Sequence, residues 1–134
     1  MNGNPVVDVA WQSRYSKCVQ TNDVAKEMSI AVKTSGYGSS INGGELLLLS
    51  LATCFCNDIY REAAKKKITV SGVEVVFTGE FGGEGEPGSN FQYEANVISN
   101  APAEDIEALI LHTDQIAEIH NTLRKGLNIT LKNS

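Results

Sequence analysis

The sequence predicts an α+β domain with the element order βββ-α-ββ-α-β, and three observations predict it. The N-terminal part is β-branched and cut by a polar turn. Residues 45–67 hold no Pro or Gly and carry an apolar stripe at helical spacing. Two alternating runs joined by a glycine-rich loop then precede a second helical stripe. No internal repeat or low-complexity tract interrupts this order, so the 134 residues are read as a single domain, 1–134.

Val6–Trp11, Tyr15–Gln20 and Met28–Lys33 read as three short strands, the last two separated by Thr21-Asn22-Asp23, and together as an antiparallel meander. Thr34–Gly44, with four glycines, breaks all periodicity and reads as a surface connection of the kind that borders sites. From Glu45 to about Lys67 the apolar residues 48, 51, 52, 55 and 59 form the stripe of a long, mostly buried helix. Asn42 and Glu45 have the spacing of a capping box, and Lys65-Lys66-Lys67 complement the dipole at the far end. Ile68–Phe81 and Phe91–Ser99 alternate as a hairpin around Gly82–Gly88, a loop without the lysine and spacing of a phosphate cradle. Pro102 sits just inside the start of a second helix, with Ile106, Leu109, Ile110, Ile116, Ile119 and Leu123 on one stripe and Arg124-Lys125-Gly126 at its end. Leu127–Leu131 alternates as a closing strand.

Composition narrows the function. With 42% hydrophobic and 20% charged residues the chain has the proportions of an ordinary globular domain, large enough to fold without a metal or disulfide staple. A net charge of −5 argues against nucleic acid or an anionic membrane as the main partner and leaves small molecules and proteins. Leu46–Ile59, the most apolar stretch, is too short and too polar for a membrane span. Met1–Pro5 lacks the basic and apolar regions of a secretory signal, so the cytoplasm is the expected compartment.

The three cysteines, Cys18, Cys54 and Cys56, are then thiols for packing or chemistry, with no disulfide framework. On a helix Cys54 and Cys56 diverge by about 200° and cannot readily bond to each other. Their C-x-C spacing is a poor zinc signal, since His112 and His120 lie eight apart on the other predicted helix and diverge by about 80°. No metal and no cofactor is expected. A thiol in a Leu-rich helix is either a small buried hydrophobe or a nucleophile, and the second role needs a lowered pKa. At the reference value only about 3% is thiolate at pH 7, whereas a pKa near 6 would give about 90%. Cys54 lies too far into its helix for the dipole to help and therefore needs a cation, while Asp58, one turn on, would oppose ionisation if it faced the same site.

The stretch Gly43-Gly-Glu-Leu-Leu-Leu-Leu-Ser-Leu-Ala-Thr-Cys54 resembles the P-x-E-L-L-L-A-A-L-A-x-C helix of the OsmC/Ohr family of osmotically inducible and organic-hydroperoxide-resistance proteins. Ile68–Val75 is similar to the strand that follows, and His120-Asn-Thr-Leu-Arg-Lys-Gly-Leu-Asn-Ile-Thr130 is similar to the segment after the family's second cysteine. The resemblance covers nearly the whole chain. It implies an intertwined homodimer with two long central helices and active sites at the interface. It also implies two-electron reduction of an organic hydroperoxide by a thiolate that becomes a sulfenic acid and condenses with a second cysteine.

Residue by residue, the resemblance places Cys54 as the attacking thiol and Arg14 as the cation from the loop after the first strand, while the proline and first glutamate of the N-P-E-x-L pattern fall on Gly43 and Gly44 and leave Glu45, at the adjacent position, as the acidic residue. Glu45 reads equally as the helix cap and Arg14 equally as a solvated turn residue. Alignment of Asn121-Thr122-Leu123 puts Ala117 where the second cysteine belongs and Glu118 where its proline belongs. Resolution then falls to Cys18, to Cys56 or, preferably, to an external thiol. Trp11, Tyr15, Tyr37 and Phe55 are candidates to line an apolar pocket, or belong to the core. Two functions stay open: a one-cysteine thiol-dependent peroxidase, and a catalytically degenerate dimer that binds a small apolar ligand or partner.

Overall fold

The computed structural model describes residues 7–11 and 17–20 by their backbone, and residues 21–35 and 38–133 in full. They fall into two compact units, residues 1–43 and 44–134.

The first unit is the expected antiparallel meander, with strands β1 (Val7–Trp11), β2 (Lys17–Thr21) and β3 (Val24–Met28) in that spatial order. The third strand lies earlier than the apolar run 28–33 suggests. Asn22 and Asp23 take φ of 49° and 67°, the left-handed pair of a two-residue hairpin loop, so pairing resumes at once with Thr21 opposite Val24. Within the run 29–33, Val32 makes an isolated bridge to Ser39 and no other residue joins a ladder with the described residues.

The second unit opens with helix α1 (Gly43–Lys65), followed by hairpin strands β4 (Val70–Glu80) and β5 (Ser89–Ser99), then helices α2 (Ala103–Ile116) and α3 (Glu118–Lys125). α1 ends in a Schellman motif: Lys67 has φ 58°, its N–H bonds the Ala64 carbonyl at 3.1 Å, and the Ile68 N–H bonds the Ala63 carbonyl at 2.9 Å. Ile68 thereby turns onto the core beside Ala63.

In the hairpin Val73, Val75 and Phe77 stand directly opposite Val97, Ala95 and Tyr93, one apolar face made of cross-strand pairs. A bulge between Val70 and Gly72 resets the alternation, so that Val70 also packs on the core. At Gly79 a Cβ would lie 2.9 Å from the Phe91 ring, a close approach only glycine allows.

The core comprises Phe55, Ile59 and Ala63 of α1, Val97 of β5, Leu109 of α2 and Ala117. Phe55 and Ile59, with the buried Leu51, belong to the stripe the periodicity predicts, while Leu48 and Ala52 of that stripe are only half-buried; Asp58 and Glu62 are buried on the same helix. Among the described residues, no helix is long and apolar enough to cross a membrane.

Two further features differ from the sequence reading. The single second helix is two helices, broken at Ala117, whose ψ of 113° is extended. Leu127–Leu131 forms no ladder with any described residue, and Leu127, Ile129 and Leu131 are 61%, 96% and 89% exposed. Alternation marks a segment fit for a sheet edge, but a strand exists only where a neighbour supplies hydrogen bonds.

Phe55 is fully buried and touches Tyr93 edge-on with ring centroids 4.9 Å apart. Phe55→Ala is expected to destabilise the chain by about 3–5 kcal/mol, read from the urea midpoint at constant slope. A loss below about 1 kcal/mol, a typical surface-scale value, would show that Phe55 does not anchor the core.

Candidate functional site

Cys54 is half-buried on α1, and its surroundings are built by the break in the second helical segment. Ala117, fully buried, caps α3 by accepting the Asn121 N–H at 2.9 Å. The Asn121 side-chain amide donates to the Gln115 carbonyl at 2.9 Å, and Arg124 Nη1 donates to the Asp114 carbonyl at 2.9 Å, so α3 side chains satisfy the last carbonyls of α2. Arg124 Nη2 also pairs with the Asp114 carboxylate at 2.8 Å, and Tyr93 donates its hydroxyl to the same oxygen. The resemblance puts a proline at position 118, the first residue of α3 and the helical position proline favours. Here the break persists without it, held by Asn121 and Arg124.

The start of α3 therefore lies against Cys54. The Ile119 N–H lies close enough to the sulfur to favour its ionised form, and the Sγ and one carboxylate oxygen each of Asp58 and Glu118 all lie within 4.8 Å of one another. Arg61 Nη1 bridges the two carboxylates, 3.2 Å from Asp58 and 3.1 Å from Glu118. Burial, then the charges of Asp58 and Glu118, push the Cys54 thiol above its ordinary value, while Arg61 and the Ile119 N–H pull it back only in part. Asp58 faces the thiol and opposes its ionisation, as its position one turn on suggests. Burial raises the Asp58 carboxyl as well, and Glu118 adds to the effect.

Arg61 does not serve the thiol alone. Its Nε donates to the buried Glu62 at 2.9 Å, and Glu62 also takes Lys65 Nζ at 2.9 Å and His112 Nε2 at 2.9 Å. The hydrogen bonds from Lys65, Arg61 and His112 hold the Glu62 carboxyl down at about 2.

His120 is buried on the other side of Ile119. It stacks on Phe55 at 5.4 Å and meets Phe77 and Tyr93 edge-on at 5.3 and 4.9 Å. Neither ring nitrogen has a hydrogen-bond partner among the described residues, and burial, with Arg124, lowers its pKa against the opposing pull of Asp114. Leu51, Phe77, Phe91, Tyr93, His120 and Leu123 line a cavity of about 160 Å³. Leu51 lies one turn before Cys54, so thiol and cavity share the same helices.

The family model described as OsmC-like protein matches residues 36–132. The chain belongs to the OsmC-like family. No curated protein matches it, but solved structures do. An OsmC-like protein from Mycoplasma pneumoniae aligns with a TM-score of 0.67 at 18% identity over 92% of this chain and 89% of that one. An OsmC-like hydroperoxide resistance protein from Jannaschia sp. aligns at 0.54 and 21%, over 85% and 79%. An organic hydroperoxide resistance protein OsmC from Legionella pneumophila aligns at 0.52 and 17%, over 91% and 90%. At these identities the likeness shows the fold.

In this OsmC-like chain the residues singled out from the sequence do not all meet. Glu45 is exposed in the first turn of α1, nine residues and about 13 Å of helix rise from Cys54. Arg14, Tyr15 and Tyr37 lie outside the described residues, and Cys18 and Trp11 are described by backbone only. Phe55 belongs to the core, and the cavity is lined by aromatics the sequence reading did not select. Cys56 stays half-buried on α1 with its thiol raised by burial. Glu118, Arg61 and His120 were the missed residues. The one available signal was the aligned position of Ala117 and Glu118, which marks where α3 meets Cys54.

Two outcomes follow from these charges. Cys54 is expected to alkylate with an inflection above that of a free cysteine, and Asp58→Asn, by removing one opposing charge, should lower it; peptide mass spectrometry against pH reads both, and a wild-type inflection below pH 8, set against the reference of about 8.5, would contradict the assignment. The folded carboxyl of Glu62 lies below its unfolded value of 4.5, so its stabilisation is complete above that value and is lost as pH falls towards about 2. Urea unfolding should therefore weaken over that window in the wild type and change less in Glu62→Gln; equal slopes in the two proteins would rule this out.

Proposed function

We propose that this OsmC-like chain is a one-cysteine thiol peroxidase for organic hydroperoxides, with Cys54 as the attacking residue. The observation that carries the reading is the seat of the Cys54 sulfur, half-buried at the start of α3 beside a carboxylate able to take its proton. The relatives whose names say hydroperoxide resistance support the substrate class.

A protonated thiol at rest needs an adjacent base at the moment of attack. As the sulfur bonds to the terminal peroxide oxygen, Asp58 accepts the thiol proton, the O–O bond breaks, and the proton passes to the departing alkoxide, which leaves as the alcohol. Cys54 is oxidised to a sulfenic acid and the peroxide is reduced by two electrons. Arg61 and the Ile119 N–H stabilise negative charge on sulfur and oxygen during transfer. The apolar part of the peroxide occupies the cavity beside Leu51 and His120.

Ala117 supplies no second thiol, so an external thiol condenses with the sulfenic acid, releasing water, and a second one releases Cys54 as the external thiols become a disulfide. A reducing compartment such as the cytoplasm would supply them. We further propose that the functional unit is an intertwined homodimer in which Leu127–Leu131 pairs with a second copy; its three exposed apolar residues support this.

The second reading, a ligand-binding dimer without turnover, is favoured by the raised thiol, which disfavours the reactive form. One experiment separates the two. Under t-butyl hydroperoxide the wild type should lose one thiol, give a dimedone adduct at Cys54 and consume peroxide with added thiol, all abolished in Cys54→Ala. Unmodified Cys54 under excess peroxide would eliminate the peroxidase in favour of binding. Analytical ultracentrifugation should show a dimer that dissociates when Ile129 and Leu131 become Asp; a wild-type monomer would refute the pairing.

A further inference from the structure

We propose that Cys54, Asp58 and Glu118 form a binding site for a thiophilic divalent cation of the zinc class, with one coordination position left open. This goes beyond hydroperoxide reduction and does not rest on it.

Three independent features support the site. Cys54 and Asp58 are four apart on α1 and share one face, and Glu118 at the start of α3 closes the set, with the three donor atoms within 4.8 Å of one another. Tetrahedral bonds of about 2.0–2.3 Å require a tighter triangle, and the Glu118 side chain, 60% exposed and free to change rotamer, can close it. Second, Asp58 is only 4% exposed, and although its Oδ1 faces Arg61, its Oδ2 is buried with no hydrogen-bond partner among the described residues. A buried carboxylate oxygen without a donor is costly, and a cation would satisfy it.

Third, a bound ion would be matched in charge. Metal binding displaces the Cys54 proton to solvent, and a thiolate and two carboxylates then bring three negative charges against the one positive charge of Arg61. A divalent ion supplies the difference. Arg61 Nη1 already bridges the two carboxylates, so it occupies the place of positive charge that the ion would take. Its separate bond to Glu62 through Nε gives the guanidinium an anchor to keep when Nη1 yields.

The donor set selects the ion class. One sulfur with two oxygens disfavours calcium and magnesium, which prefer all-oxygen shells, and suits zinc or cobalt. Three protein ligands and an open fourth position are the arrangement of zinc sites that bind a further molecule, not of closed structural ones. A bound ion would cover the Cys54 sulfur, so the loaded chain would resist alkylation and oxidation there.

Cobalt(II) added to the full reduced chain tests this directly. The expected result is a thiolate-to-cobalt charge-transfer band saturating at one ion per chain, with the visible spectrum of four-coordinate cobalt and displacement by zinc. The band should vanish in Cys54→Ser, and affinity should fall at least about tenfold in Glu118→Gln and Asp58→Asn. Arg61→Gln, which removes the competing cation, should bind more tightly. Zinc should also slow iodoacetamide labelling of Cys54 while leaving Cys56 unchanged. Should Asp58→Asn fail to fold by circular dichroism, Glu118→Gln carries the test, since its side chain is largely exposed. No charge-transfer band, a band that survives Cys54→Ser, or affinity unchanged in Glu118→Gln would each overturn the site.

Discussion

The last carbonyls of α2 would end unsatisfied at Asp114 and Gln115 if Arg124 and Asn121 of α3 did not bond them, and the seat of Cys54 depends on that seal. Ala117 has no side chain beyond a methyl and is fully buried, so the two helices pivot on it without a cavity. The pivot presents the Ile119 N–H and the Glu118 carboxylate to a sulfur on α1, more than sixty residues earlier in the chain. A continuous helix would carry the same residues away along its own axis.

Electrostatics at the site are a competition for one guanidinium. Arg61 reaches Asp58, Glu62 and Glu118 together, and among the described residues only Glu62 has other strong donors, in Lys65 and His112. Glu62 is therefore held ionised, whereas Asp58 is raised by burial and by its acidic neighbour. The thiol inherits the imbalance. Two carboxylates beside a sulfur suit proton transfer or a metal ion better than they suit a resting thiolate.

The aromatic group on the opposite side of α3 follows different rules. His120 is enclosed by Phe55, Phe77 and Tyr93, where desolvation keeps the imidazole neutral and ring contacts replace hydrogen bonds. Tyr93 links this group to the helix break by donating to Asp114, so the cavity wall and the α2–α3 pivot are mechanically one structure.

The sequence by itself determined the local elements: the α1 stripe through Leu51, Phe55 and Ile59, the hairpin faces through Val73, Val75 and Phe77, and the family through the motif ending at Cys54. These are set by periodicity and neighbouring residues, which a linear reading contains. It misplaced β3 because two left-handed residues, Asn22 and Asp23, outweighed an apolar run, and it joined α2 to α3 because nothing in Gln115–Glu118 is a helix breaker. Tertiary structure alone decided that Asp58, Arg61, Glu118 and the Ile119 N–H converge on Cys54, and that Phe91 lines the cavity. Those outcomes depend on contacts between distant segments, fixed by side-chain caps and burial rather than by spacing along the chain.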